Sequence, residues 1–159
     1  MPTHAEKKTL PYTPDQLFDL VADVEHYPEF LPWCLECRIT ERDGADVFFA
    51  DLVIGYKIFR EKFVSRVHLY PAGDSVIRRN DEAKTPLKSI RVEYIHGPLK
   101  HLSNEWNFIQ NEDGSCTIDF FVNFEFKNPF FEKVMGVFFN EVVRRMVSAF
   151  ESRAAAVYG

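Results

Sequence analysis

One stretch of this chain decides its fold: residues 116–150 read CTIDFFVNFEFKNPFFEKVMGVFFNEVVRRMVSAF. The first part, Cys116 to Lys127, alternates between apolar and mostly polar residues, which is the pattern of a β-strand with one buried face. Asn128 and Pro129 follow, and these residue types suit the N-cap and the first position of a helix. The sequence therefore predicts a strand that leads directly into a long helix, which we expect to run to about Ala156.

The predicted helix carries apolar residues over an arc of ~200°, whereas a surface helix typically shows an apolar stripe of about 100°. One stripe contains Phe131, Val134, Met135, Phe138, Val142, Met146 and Ala149, and a second set, Phe139, Val143, Val147 and Phe150, widens it. Such a helix needs cover on more than one side, and we expect a concave sheet to wrap around it. A flat sheet would leave part of the arc exposed, and a dimer or a membrane surface would be other ways to cover it.

Upstream of this stretch, segments with period-two patterns are separated by turn signals. They are Leu35–Thr40, Asp46–Phe59, Arg60–Leu69, Ser75–Arg79, Ile90–Tyr94 and Leu102–Phe108, with a first strand at Thr3–Leu10. Between the first strand and the rest, Thr13, Pro14 and Gln16 form a capping-box pattern for a helix that ends near Val24, before a short helical turn over Glu25–Phe30. We therefore predict one α+β domain over residues 1–159, in which a curved antiparallel sheet of six or seven strands grips the C-terminal helix.

Composition narrows the function classes. The chain of 159 residues includes 16 Phe, which suits a thick core or an apolar pocket. Its net charge of −5 argues against DNA binding. The sequence contains no apolar run long enough to span a membrane. Residues Met1–Leu10 lack the pattern of a secretory leader, and we expect a cytoplasmic protein, at most peripheral to the inner membrane.

The residues do not suggest catalysis. Cys34 and Cys37 form a CxxC pair, but no second pair or suitably spaced histidine follows, and the next residues read as strand, so neither a zinc site nor a redox motif is expected. The odd cysteine count, completed by Cys116, argues against a disulfide framework. No nucleophile, metalloprotease or phosphate-loop motif is present, so we expect no catalytic residue, no metal and no catalytic cofactor. His96 is the best candidate for a polar group in a cavity, although a hydrogen-bonded structural histidine is the commoner case.

Several local motifs resemble one known family. The segment after the first helix, residues 27–34, reads YPEFLPWC, and FVSRV (63–67), GPLKHL (97–102), NEWNF (104–108), FEFKNP (124–129) and RMVSAF (145–150) also match. In these motifs, and over nearly its whole length, the chain resembles the coenzyme Q-binding START-domain family. That family has the helix-grip fold of the START-like superfamily, which also includes polyketide cyclases.

The resemblance implies a protein that binds ubiquinone, an isoprenoid quinone, and supports respiration as a carrier or chaperone rather than as an enzyme. Bacterial relatives in the same group are described as toxins that bind the large ribosomal subunit and block subunit association, which is the second hypothesis. A third, an aromatase or cyclase, requires polar groups along the cavity. Transient contact with the inner membrane would suit the first hypothesis.

An isoprenoid tail requires a wide, dry and aromatic-rich lining. The predicted lining consists of Trp33, Leu52, Ile54, Tyr56, Phe63, Val92, Tyr94, Trp106, Phe108 and Phe124, with Phe131, Met135, Phe138 and Val142 from the helix. Trp33, Tyr56, Tyr94 and Asn104 are candidate donors to a quinone head. Tyr27, Phe30 and Leu31 are predicted to form one rim of the entrance, or alternatively only to anchor the first helix. For every lining residue, ordinary core packing is the alternative.

Overall fold

The computed structural model of the chain describes residues 3–56, 59–72 and 88–159, with only the backbone of Tyr56 and Phe59. The elements are β1 (Thr3–Leu10), α1 (Pro14–Ala22), a 3₁₀ helix (Val24–Glu29), β2 (Cys34–Arg42), β3 (Val47–Tyr56), β4 (Phe59–Tyr70), β5 (Lys88–His96), β6 (Leu99–Gln110), β7 (Cys116–Phe126) and α2 (Pro129–Tyr158). The predicted strand Ser75–Arg79 lies outside the described residues. The strand predicted to end at Phe59 ends at Tyr56 instead, and Phe59 begins β4.

The seven strands form one antiparallel sheet in the order β1-β7-β6-β5-β4-β3-β2. The chain therefore runs as a meander from β2 to β7, and β1 adds to the far edge. Together with the long C-terminal helix, this confirms the predicted α+β helix-grip architecture.

The capping box of α1 forms as its sequence predicts. The Thr13 hydroxyl oxygen accepts the Gln16 N–H at 3.1 Å, and the Gln16 side-chain oxygen accepts the Thr13 N–H at 3.0 Å. Leu17, Phe18 and Val21 are buried on the inner face of this helix. The two hydrogen bonds fix the point where the chain turns from β1 into α1.

The predicted alternation in β2 is wrong at Leu35, which is 49% exposed, while Cys34 and Cys37 are buried. A register shift between Cys34 and Glu36 inserts one residue, so the side chain of Leu35 turns to the outer face and covers Gly55 of β3. A bulge of this kind reverses the inside-outside pattern and leaves no clear mark in the sequence.

The core lies between the sheet and residues 139–158, which we call the closed half of α2. A single stripe of this half is buried, and it contains Phe139, Val143, Val147, Phe150 and Ala154. Trp106 of β6 packs edge-on to Phe120 and Phe150, with ring centroids 4.6 and 5.0 Å apart. These contacts fix the closed half of α2 on β6 and β7.

The first ten residues of α2, 129–138, behave differently, and we call them the open half. Phe130 is 67% exposed, Val137 75% and Phe138 57%. Two residues of the predicted apolar arc, Val134 and Phe138, therefore have no cover from the sheet. The backbone of α2 lies close to β1, β7 and α1. In the sheet, β4 and β3 are the third and fourth strands from β7, about 14–19 Å along the sheet. Within the described ranges, no helix has the length and hydropathy needed to cross a bilayer.

Candidate ligand-binding site

One end of the sheet collects the features of a binding site. Because the strands are antiparallel, β3, β5 and β7 finish at this end, whereas β4, β6 and α2 begin there. We call it the open end, since the open half of α2 lies beside it.

A cavity of about 600 Å³ lies at the open end. Its lining consists of Glu61, Lys62 and Val64 of β4, His96, Gly97 and Pro98 at the turn between β5 and β6, and Lys127, Asn128 and Phe131 where β7 passes into α2. Most of these side chains are polar, which differs from the mainly apolar, aromatic-rich lining that the sequence predicts. The cavity opens to solvent, because Lys62, His96 and Lys127 are exposed.

Strand lengths create this cavity. Strand β4 pairs with β3 from Phe59 onwards, but it pairs with β5 only from Val64, opposite His96. The first residues of β4 therefore extend beyond the end of β5. The Gly97–Pro98 turn and the first turn of α2 border the space that remains.

The polar groups of the cavity differ in whether they already have a partner. The Lys62 ammonium lies 3.1 Å from an Asp51 carboxylate oxygen. In contrast, the side chains of Glu61, His96 and Lys127 have no hydrogen-bond or ion-pair partner among the described residues. Two uncommitted donors and one uncommitted carboxylate thus line the cavity.

Tyr94 fixes the turn that forms one wall. Its phenolic oxygen accepts the Leu99 N–H at 2.9 Å. Burial raises the pKa of the Tyr94 hydroxyl, with a smaller contribution in the same direction from Glu61. A Cβ atom on Gly97 would lie 2.9 Å from the Tyr94 oxygen and 3.0 Å from the Lys62 carbonyl oxygen, so this close approach requires glycine.

An apolar surface continues from the cavity along α2. Phe131 lines the cavity, and Met135, Phe138 and Val142 follow on the same side of the helix at spacings of four, three and four residues. All but Phe138 are half-buried, and Phe138 is exposed. The space between this stripe and the inner face of β3, β4 and β5 is what we call the cleft.

The predicted lining residues divide into two groups. Leu52, Val92, Phe124 and Met135 are partly buried and pack against the core, whereas Ile54, Phe63, Phe131 and Val142 are half-buried at its edge, where the Phe131 ring packs edge-on to Phe126 at 6.0 Å. Ile54, Phe63 and Phe131 lie towards the open end, and Val142 lies further along α2. The side chain of Tyr56 lies outside the described residues.

Trp106 and Phe108 belong to the closed core. Trp106 is 7% exposed and Phe108 is fully buried, and the two rings are stacked with centroids 6.4 Å apart. Phe108 also packs edge-on to Phe18 of α1. Both residues therefore make the contacts of ordinary core packing, which is the alternative to cavity lining that we stated for every predicted lining residue.

The segment after the 3₁₀ helix also packs against the closed half. The rings of Tyr27 and Phe30 each lie 5.3 Å from the Phe150 ring, the Tyr27 hydroxyl donates to the Val21 carbonyl oxygen, and Leu31 is buried. Phe150 is twelve residues, about 18 Å of helix, from Phe138. These contacts correspond to the alternative prediction, in which the three residues anchor the first helix rather than form a rim of the entrance.

Of the candidate donors Trp33 and Asn104, the Asn104 side chain already has an acceptor within the sheet. Trp33 is a non-glycine residue with a positive φ of 65°, a strained conformation for a bulky side chain, and its carbonyl oxygen accepts the Gly55 N–H at 2.9 Å. The Asn104 amide donates to the Phe121 carbonyl oxygen at 2.9 Å.

The three cysteines are free thiols in the core. Burial raises the pKa of Cys34 to about 11 and that of Cys37 and Cys116 to about 12. Neutral thiols of this kind are poor nucleophiles and poor metal ligands. Among the described residues, no three His, Cys, Asp or Glu side chains are placed to hold a metal ion.

Sequence reasoning identified His96 but missed Lys62, Lys127, Gly97 and Pro98 as parts of the cavity. The Gly97–Pro98 break and the end of the β7 pattern at Lys127 mark the two chain segments involved. Their proximity depends on the antiparallel register of β6 and β7, where the Lys127 N–H donates to the Pro98 carbonyl oxygen at 3.0 Å.

Comparison with known proteins yields matches over almost the whole chain. A family model described as "Polyketide cyclase / dehydrase and lipid transport" matches residues 10–151. A Rickettsia prowazekii protein named "Ribosome association toxin RatA" is 36% identical over 94% of both chains. The Xenopus laevis "Coenzyme Q-binding protein COQ10 homolog B, mitochondrial" is also 36% identical, and the match covers 98% of this chain and 59% of that protein.

Among solved structures, the 18 kDa protein CC1736 from Caulobacter crescentus is 33% identical. It superposes with a TM-score of 0.70 over 100% of this chain and 99% of its own.

Proposed function

Because the chain belongs to the "Polyketide cyclase / dehydrase and lipid transport" family, we propose that it binds ubiquinone or a related isoprenoid lipid in the cleft, as a carrier or chaperone that supports respiratory electron transport. The proposal is for binding and not for catalysis. The Xenopus relative named as a coenzyme Q-binding protein supports the choice of ligand.

The observation that carries the proposal is the apolar stripe of α2 that lacks a covering layer. Phe131, Phe138 and Val142 face the cleft yet keep part of their surface in contact with water. Burying apolar surface contributes roughly 25 cal/mol per Å², so a long hydrocarbon tail lying along this stripe would bind without any hydrogen bond.

The direct test is the identity of the bound lipid. Protein purified from a quinone-producing host should yield ubiquinone on extraction with organic solvent, detected by mass spectrometry. Protein that yields no quinone, and that cannot be loaded with ubiquinone from vesicles, would contradict the proposal.

A carrier for such a lipid has to exchange it with a membrane, and the outer side of the open half is suited to this contact. Phe130, Val134 and Val137 are exposed on the side opposite the buried stripe, and the exposed Lys133 lies beside them. Apolar side chains with neighbouring cations favour the interface of an anionic bilayer. Flotation with anionic vesicles should recover the wild-type chain and recover less of a Phe130→Ser/Val137→Ser variant.

Association with the large ribosomal subunit is the second candidate. The Rickettsia relative whose name describes ribosome association matches this chain over 94% of both lengths. Because the chain has a net charge of −5, such binding would depend on local cations and weaken as salt rises. Sedimentation with purified large subunits at low and high salt tests it, and a lack of cosedimentation at low salt would exclude it.

A further inference from the structure

The cavity at the open end joins two kinds of surface. Phe131 contributes to its lining and also begins the apolar stripe of the cleft, while the other walls carry the polar groups of β4, the β5–β6 turn and Lys127. A volume of about 600 Å³ falls within the range, roughly 300–1,000 Å³, of sites that bind small molecules. The polar end of an amphipathic ligand would therefore lie here while its tail follows the stripe.

The uncommitted groups indicate the chemistry of that polar end. His96 and Lys127 offer N–H donors that have no partner in the described part of the chain, whereas the nearby Lys62 ammonium is paired with Asp51. The first amide of the α2 N-terminus is also occupied, because the Phe130 N–H donates to the Asn128 side chain at 2.8 Å. The cavity thus presents two free donors from different elements of the fold.

Glu61 limits the charge of the ligand. Its carboxylate lines the same cavity and has no cationic partner among the described residues. This carboxylate offsets the charge of the Lys127 ammonium in the same cavity, so a diphosphate with several negative charges would lack enough cationic partners, whereas a neutral group needs none.

We propose that this cavity binds the head of the lipid, and that the head is a neutral ring whose polar atoms are acceptor oxygens, as in a methoxylated quinone. His96 and Lys127 donate to those oxygens, and Phe131 contacts the first part of the tail. The proposal rests on the proposed function and adds to it the part of the ligand that determines specificity.

The test compares three isoprenoid lipids that differ in their polar end. Vesicles contain ubiquinone-4, geranylgeranyl diphosphate, which has a tail of the same four isoprene units, or the isoprenoid hydrocarbon squalene, and lipid transferred to the purified chain is measured by mass spectrometry. Wild-type protein should take up ubiquinone in preference to the other two. The substitutions His96→Phe and Lys127→Met should each lower ubiquinone uptake by roughly tenfold, the effect of one lost hydrogen bond, and leave squalene uptake unchanged.

Arg144→Met is the matched control, because Arg144 is an exposed cation of α2 that neither lines the cavity nor belongs to the open half. This variant should behave as wild type with all three lipids. Equal uptake of squalene and ubiquinone by wild type, a preference for the diphosphate, or an equal loss of both neutral lipids in the variants would each overturn the head-group proposal while lipid binding itself stands. Failure of the wild type to take up any of the three lipids would overturn the proposed function.

A second measurement does not depend on the tail. Titration of 2,3-dimethoxy-5-methyl-1,4-benzoquinone, which is the head group alone, into the isotope-labelled chain should shift the NMR signals of the His96 ring and of Phe131. Shifts confined to residues outside the cavity would contradict the assignment.

Discussion

The phenolic oxygen of Tyr94 accepts the backbone N–H of Leu99 across the turn between β5 and β6. Leu99 is only 3% exposed, so water cannot replace the hydroxyl without structural change. A buried N–H that loses its partner costs about 1–3 kcal/mol. We therefore expect Tyr94→Phe to lower the free energy of unfolding by that amount, measured by urea denaturation.

Tyr12→Phe is the control for this prediction. Tyr12 is also half-buried, and its hydroxyl has no hydrogen-bond partner among the described residues. The substitution should change stability by less than about 0.5 kcal/mol. Equal effects of the two substitutions would show that the Tyr94–Leu99 bond contributes nothing.

The core thiols predict a loss of stability at alkaline pH. Burial raises the pKa of Cys34 to about 11 and of Cys37 and Cys116 to about 12, from an ordinary value of 9.0. Above pH 9 the unfolded state therefore releases thiol protons that the folded state keeps, and linkage requires that stability fall as pH rises from 9 towards 12. Urea denaturation at pH 8 and pH 10 should show this decrease.

Replacing Cys116 by alanine should reduce the slope of stability against pH in that window. At pH 8 a thiol-specific disulfide reagent should modify the native chain slowly and all three cysteines after denaturation. Rapid modification of the native protein would show that the thiols are accessible.

Much of the fold could be predicted from the sequence because local patterns determine it. The capping box at Thr13 and Gln16, the alternation over Cys116–Lys127 and the Asn128–Pro129 helix start each reflect short-range hydrogen bonding or periodicity. The exposure of Leu35 could not be predicted, because it depends on a bulge in strand pairing.

The candidate site was predicted less completely. Periodicity identifies the apolar faces of α2 and of the strands, but it does not show which residues of those faces pack in the core and which line the cleft. The core residues Trp106 and Phe108 therefore could not be distinguished from the cleft residues Ile54 and Phe63. The polar cavity arises from unequal strand lengths at β4 and β5, and that feature depends on long-range register.

The two halves of α2 should respond differently to truncation of a phenylalanine. Phe150 is 5% exposed and contacts Tyr27, Phe30 and Trp106, so Phe150→Ala should cost about 3–5 kcal/mol. Phe138 is 57% exposed, and Phe138→Ala should cost less than about 1 kcal/mol. Thermal and urea denaturation of the two variants check this, and a large cost at Phe138 would mean that the open half is covered in solution.

The last prediction separates binding from stability at the cleft. Val142 is half-buried on the side of α2 that faces the cleft, whereas Val157 is 51% exposed in the last turn of α2. Val142→Trp adds a large ring to the space that the proposed ligand tail occupies, and it should reduce ubiquinone uptake from vesicles by at least tenfold while cooperative unfolding is retained. Val157→Trp makes the same change of side chain away from the cleft and from the proposed membrane contact, and it should leave uptake close to that of wild type. Uptake by the Val142 variant equal to that of the Val157 variant would show that the tail does not lie along this stripe of α2.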